Sequence, residues 1–129
     1  MVEDDPEAAL FVLHVLAKRE QFEVLHTPDP LVALRLAATE HWDMVLTDVD
    51  LPGMTGLELL AALREVAPAV PVAVMTAHML PAWSPAALVS RSDGHADEYL
   101  QKPLRIEQLI STATALIGRG RGYKAPAGG

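Results

Sequence analysis

The chain has 129 residues, half of them apolar, a formal net charge of −7 and no cysteine. That is enough for one domain with a real core, too little for two, and too apolar for disorder. The charge argues against a nucleic-acid-binding surface, and the absence of cysteine excludes disulfides and thiolate metal sites. No apolar run is long enough to cross a bilayer and no signal peptide precedes the domain, so the expected location is the cytoplasm and no membrane partner is expected.

Strand and helix signals alternate along the chain. Residues 6–19 read as a helix, with Asp5 as N-cap, Pro6 at the first position, and Leu10, Leu13, Val15 and Leu16 on the apolar stripe. Residues 23–26 read as a short strand. Asp29 caps a second helix that starts at Pro30 and carries Leu31, Leu34, Leu36 and Ala38. Residues 44–48 form an unalternating apolar run, the mark of a strand buried on both faces. Thr55 caps a third helix with Leu57, Leu60, Leu63 and Val66 inward. Strands follow at 71–76 and 97–101, then a last helix at 104–117. Between Thr76 and Tyr99 two prolines, Pro81 and Pro85, interrupt the expected fourth helix, so it should start late, at Ser84-Pro85, and be short. From Gly118 onward the glycine- and arginine-rich end has no periodicity, which sets a domain at 1–118 and a flexible tail at 119–129. Alternation at this spacing indicates a parallel sheet covered by helices on both faces.

Glu3 and Asp4, Asp48, Thr76 and Lys102 all fall at the carboxyl ends of strands, and in a doubly wound sheet those ends lie side by side. Taken singly, each has an ordinary reading. Glu3-Asp4-Asp5 is a helix-dipole complement, Asp48 a turn residue before Pro52-Gly53, Thr76 a β-branched strand residue, Lys102 a solvated cation and Tyr99 a packed aromatic. Together they say more. Three carboxylates at one edge repel each other unless a cation sits among them, and all-oxygen ligands suit Mg²⁺. A lysine and a threonine hydroxyl beside them suit phosphoryl oxygens. With no cysteine and no serine–histidine pairing there, the available nucleophile is a carboxylate, which can form an acyl phosphate. The residues point to Mg²⁺-dependent phosphoryl transfer onto Asp48.

Four segments together carry a resemblance: Glu3-Asp4-Asp5-Pro6, Asp48-Val49-Asp50-Leu51-Pro52-Gly53-Met54-Thr55-Gly56, Val74-Met75-Thr76-Ala77 and Tyr99-Leu100-Gln101-Lys102-Pro103. The sequence resembles the receiver domain of two-component response regulators, of the single-domain chemotaxis-regulator type, over about residues 2 to 117. The resemblance implies a flavodoxin-like doubly wound (βα)5 fold with a parallel five-stranded sheet of order 2-1-3-4-5. It implies Asp48 as phospho-acceptor from a histidine kinase or a histidine phosphotransfer protein. Asp4 would bind Mg²⁺ directly, Glu3 mainly through water, Asp48 by its carboxylate and Asp50 by its backbone carbonyl. Thr76 would hydrogen-bond the phosphoryl group, Lys102 would pair with it across a cis Lys102–Pro103 bond, and Tyr99 would swing inward as Thr76 moves. Asp50 and His78 would set the phosphoryl lifetime. Such a domain is no enzyme beyond its own phosphorylation and autodephosphorylation. It would signal to a protein partner, or to a second copy in a homodimer, through its fourth-helix, fifth-strand and fifth-helix face.

Two departures shape the expectation. Only Met1, Val2 and Glu3 stand where a first strand needs about five residues, so that strand is truncated, the strand at 23–26 should be weakly held, and stability should be lower than in a receiver with a full strand. Either that, or the native start lies upstream. The proline-broken segment also puts the usual signalling geometry in question; Trp83 within it is read as packed rather than as an exposed contact. His14, His26, His41 and His95 fit no zinc spacing. Two other readings compete. Asp48-Val49-Asp50 satisfies the Asp-x-Asp motif of haloacid-dehalogenase-type phosphatases, with Asp50 as general acid, although Glu107 is the only acid after Lys102. A degenerate receiver acting as an unphosphorylated interaction module is the non-enzyme alternative.

Overall fold

A computed structural model describes residues 1–19, 22–51, 53–77 and 96–120. In chain order these give α1 (Pro6–Ala17), α2 (Pro30–Thr39), β1 (Val45–Asp48), α3 (Gly56–Val66), β2 (Val72–Thr76), β3 (Glu98–Gln101) and α4 (Ile106–Gly120). The expected fourth helix, with Trp83 and Ser84-Pro85, lies outside the described residues, as do His78 and His95.

The strands pair in parallel in the order β1-β2-β3, with Asp48 level with Met75 and Thr76 level with Gln101. Val2 extends this order by two parallel bridges, to Thr47 on one side and Thr27 on the other. The order 2-1-3-4-5 is therefore present, but its first two members pair at single residues. The strand expected at 23–26 does not form; pairing in that part of the chain occurs at Thr27. A ladder needs a neighbour at every rung, and the described residues give this segment little beyond Met1 to Glu3, whose amides and carbonyls bond Leu25, Thr27 and Leu46.

Side chains leave the sheet alternately on its two faces. Val72 and Val74 pack with Leu59, Leu60 and Leu63 of α3 and Ala33 and Ala37 of α2. Ala73 and Met75 pack with Val12, Val15 and Leu16 of α1 and Leu109, Ala113 and Leu116 of α4. This three-layer, doubly wound arrangement is the flavodoxin-like fold. Among the described residues no helix is long and apolar enough to cross a membrane.

The helix starts follow the sequence signals. Asp5 accepts from the Glu7 amide and Asp29 from the Leu31 amide, each ahead of a proline. Thr55 and Glu58 form a reciprocal capping box at α3. Thr55→Ala should cost about 1 kcal/mol, read as a shift in the urea midpoint at unchanged slope. The apolar stripes were less legible. Leu10, expected inward, is 65% exposed, and the buried side of α1 is Ala9, Val12, Val15 and Leu16. On α2, Leu31 and Ala38 face out, and Pro30, Ala33 and Ala37 face the sheet. Val66, in the last turn of α3, is also exposed. Where leucine outnumbers every other residue type on a helix, its count does not tell which third of the circumference meets the sheet. The last helix starts at Ile106 rather than at 104 and runs on to Gly120.

Candidate functional site

The site sits on the carboxyl edge of the sheet, where Val2, β1, β2 and β3 end side by side. Val2 is stitched to β1 by its amide on the Leu46 carbonyl at 2.7 Å and its carbonyl under the Asp48 amide at 2.9 Å. This delivers Glu3 and Asp4 next to Asp48. Glu3 and Asp48 are buried and Asp4 is exposed. One carboxylate oxygen from each lies within 4.8 Å of the others.

Lys102 reaches into this cluster from the end of β3. Its Nζ donates to Glu3 Oε2 at 3.1 Å and lies 3.2 Å from Asp48 Oδ2. The second Glu3 oxygen, Oε1, accepts from the Asp5 amide at 3.1 Å. The Lys102 amide bonds the Thr76 carbonyl at 2.7 Å, and the Lys102–Pro103 peptide is cis. Thr76 is buried at the end of β2. Tyr99 is already turned inward, packed on the α2–α3 side, with its hydroxyl accepting from the Ala96 amide at 3.2 Å. The Asp50 side chain is exposed and its carboxylate is not part of the acidic cluster.

Electrostatics follow from this packing. Burial pushes the Glu3 carboxyl above its ordinary value; the nearby Asp48 charge adds to the rise, and the bonds from Asp5 and Lys102 oppose it. For Lys102, burial works to lower the ammonium, but the Glu3 hydrogen bond and the Asp48 charge outweigh it and hold the group above its ordinary range. A lysine raised by folding contributes stability that is complete below its unfolded value and lost as pH climbs through its folded value. The stability of the native chain should therefore fall in the alkaline range more steeply than that of Lys102→Met, measured by urea unfolding across that range.

Three features of the site were not assigned a role from sequence. His26 Nε2 donates to the Glu3 carbonyl at 2.8 Å and holds the acidic segment from the Thr27 side. Thr47 is fully buried, and its hydroxyl donates to the Asp48 carbonyl at 3.0 Å. Gly56 brings its amide to the Val49 carbonyl at 2.7 Å, and a Cβ there would sit 2.3 Å from the Asp48 carbonyl oxygen. A glycine at the first position of a helix, just after a Pro-Gly turn, is the one sequence signal that hinted at such close approach. Gly53 in that turn has φ +75°, open to glycine without strain.

The donor set fits a hard divalent cation. Three carboxylates and no nitrogen or sulfur favour Mg²⁺ or Ca²⁺, and their oxygens lie within 4.8 Å of one another, near enough to share one ion. One lysine against three carboxylates leaves the cluster anionic, which a cation would offset.

A doubly wound parallel sheet with an acidic cluster, a lysine and a threonine at its carboxyl edge places the chain among flavodoxin-like folds with a polar site at the strand ends. The family pattern of the response regulator receiver domain matches residues 1–114, and the chain belongs to that family, the receivers of two-component systems. It is 32% identical over 125 residues to the transcriptional regulatory protein TctD of Salmonella typhimurium, covering 95% of this chain and 52% of that protein. It is 33% identical over 119 residues to the response regulator MprA of Mycobacterium sp., covering 92% and 50%. The chain thus spans about half the length of these relatives. Among solved structures, the receiver domain of Francisella response regulator 1452 superimposes with a TM-score of 0.76 at 27% identity, covering 92% of this chain and 93% of that one. The receiver domain of the sensor histidine kinase PA1611 from Pseudomonas aeruginosa, with a magnesium ion coordinated in its active site cleft, gives a TM-score of 0.76 at 26% identity, covering 91% and 93%.

Proposed function

We propose that Asp48 accepts a phosphoryl group from a phosphohistidine on a kinase or phosphotransfer protein, and that this switches the domain's signalling state. The observation that carries the reading is Lys102 Nζ spanning Glu3 and Asp48 beside the exposed Asp4. In the transfer, an Asp48 carboxylate oxygen bonds to phosphorus as the phosphorus–nitrogen bond breaks, and the imidazole leaves with its electron pair and takes up a proton. Asp4, Glu3, Asp48 and the Asp50 carbonyl would hold Mg²⁺, which when bound offsets charge on the phosphoryl oxygens. Lys102 would exchange its Asp48 contact for a phosphoryl oxygen, and the Thr76 hydroxyl would donate to another. Asp50 and His78 would set the lifetime of the acyl phosphate.

The readout would run from Thr76 through Tyr99. Both are buried, with Tyr99 already inward. The expected "swing" is then a change in the packing of an inward ring rather than an entry from solvent. The surface that passes the signal to a downstream protein, or to a second copy, would include β3 and α4.

Incubation of the whole chain with acetyl phosphate and Mg²⁺ tests this. The expected product is one phosphoryl group per chain, acid-stable and alkali-labile, and dependent on the divalent ion. Continuous phosphate release without a trapped phosphoprotein would instead be the behaviour of a phosphatase. No reaction at all would make the chain an interaction module.

A further inference from the structure

The Glu3 carbonyl stands where backbone pairing stops. Val2 and Thr27 form a parallel bridge, and the Glu3 amide donates to the Thr27 carbonyl at 3.1 Å. In a parallel ladder the next donor toward Glu3 is the amide two residues beyond Thr27, which belongs to Asp29. Pro28 lies between them, and the Asp29 amide is turned onto the Thr27 hydroxyl at 3.1 Å, in the bend that opens α2. A side chain takes the vacated rung: His26 Nε2 lies 2.8 Å from the Glu3 carbonyl oxygen. A carbonyl can only accept, so Nε2 carries the proton of this bond. Glu3 is fully buried, and a buried carbonyl deprived of its donor is costly.

The bond bears on Asp4. Asp4 lies between two peptide units, and each is pinned. The Glu3–Asp4 unit is held by its carbonyl on His26, and the Asp4–Asp5 unit by its amide on Glu3 Oε1 at 3.1 Å. Peptide units are planar, so pinning both of them fixes the direction of the Asp4 Cα–Cβ bond. Asp4 itself is exposed, so burial does not place its carboxylate; the two flanking bonds do. Yet this carboxylate has an oxygen within 4.8 Å of oxygens on Glu3 and Asp48.

We propose that His26 is a positioning residue of the divalent-cation site: its hydrogen bond to the Glu3 carbonyl orients the Glu3–Asp4 peptide and so presets Asp4 for the ion. The inference rests on the reading of Glu3, Asp4 and Asp48 as the Mg²⁺ site. His26 acts through one backbone carbonyl and contacts neither the ion nor the phosphoryl group. Groups that orient metal ligands from behind set affinity by about ten- to a hundredfold, and one carbonyl removed from the ligand places His26 at the low end, about tenfold.

Isothermal titration of the whole chain with MgCl₂ alone tests this. His26→Gln carries an amide N–H donor at nearly the reach of Nε2, His26→Asn carries the same donor one bond short, and His26→Phe keeps a ring without a donor. Mg²⁺ affinity should stay within about threefold of wild type in His26→Gln and fall about tenfold in His26→Asn and His26→Phe. Circular dichroism checks that each variant is folded, and the comparison of glutamine with asparagine decides the matter even where the phenylalanine variant fails to fold. Wild-type affinity in His26→Asn would overturn the role of His26 and leave the metal site standing. Affinity in His26→Gln as weak as in His26→Asn would do the same, because the donor would then not be what matters. A wild-type chain that takes up no Mg²⁺ would overturn the inference together with the reading of the acidic cluster.

Discussion

Asp48→Asn is expected to abolish phosphorylation by acetyl phosphate outright, with the fold retained. The amide is isosteric with the carboxylate, so the buried side chain keeps its volume at the end of β1. What it loses is the anionic oxygen that must bond to phosphorus, and one of the two charges that Lys102 bridges. No neighbour replaces it: Glu3 is buried with both its oxygens engaged, by Lys102 and by the Asp5 amide. Mass spectrometry of the treated protein should show no phosphoryl adduct, while circular dichroism stays native. A phosphoprotein formed at the wild-type rate in this variant would place the acceptor elsewhere and remove Asp48 from the centre of the site.

The second large effect falls on stability. Gly56→Ala should cost about 3 kcal/mol and lower the melting temperature by about 10 °C. The added Cβ would stand 2.3 Å from the Asp48 carbonyl oxygen and 2.6 Å from the Val49 Cα, both backbone atoms that cannot rotate away. The gain in helix propensity from alanine is at most about 1 kcal/mol, so the clash decides the sign. Relief requires α3 to back off from β1, and the Gly56 amide then loses its 2.7 Å bond to Val49. Because the displaced carbonyl belongs to Asp48, the phosphorylation rate should fall along with stability. Stability within half a kcal/mol of wild type, by thermal and urea unfolding, would mean that the loop after Asp48 yields more easily than its contacts imply.

Most of the site residues could be read from the chain because each has a fixed relation to a strand end. Once residues 44–48, 71–76 and 97–101 are read as parallel strands, Asp48, Thr76 and Lys102 must meet at one edge, whatever the packing of the helices. The histidine that supports Glu3 could not be read in this way. His26 bonds a carbonyl twenty-three residues away, on a segment whose strand did not form, and neither spacing nor chemistry singles it out from His14 or His41. The inward faces of α1 and α2 were misjudged at Leu10, Leu31 and Ala38 for a similar reason: the sheet selects a face, and a helix rich in leucine shows several candidates.

The sequence by itself determined the alternating element order, the capped helix starts and the identity of the chemical groups. These depend on local rules: an aspartate before a proline, a threonine three residues ahead of a glutamate, an apolar run ended by a carboxylate. Only the tertiary structure decided how the groups share their charges. It puts one ammonium between two buried carboxylates, raises both Glu3 and Lys102, and leaves Asp4 facing solvent. Val2 is held by bonds to β1 on one side and Glu3 by a bond to Thr27 on the other, which fixes where Glu3 and Asp4 stand. Local rules place groups along a chain; interaction energies depend on distance and burial, which only the folded sheet supplies.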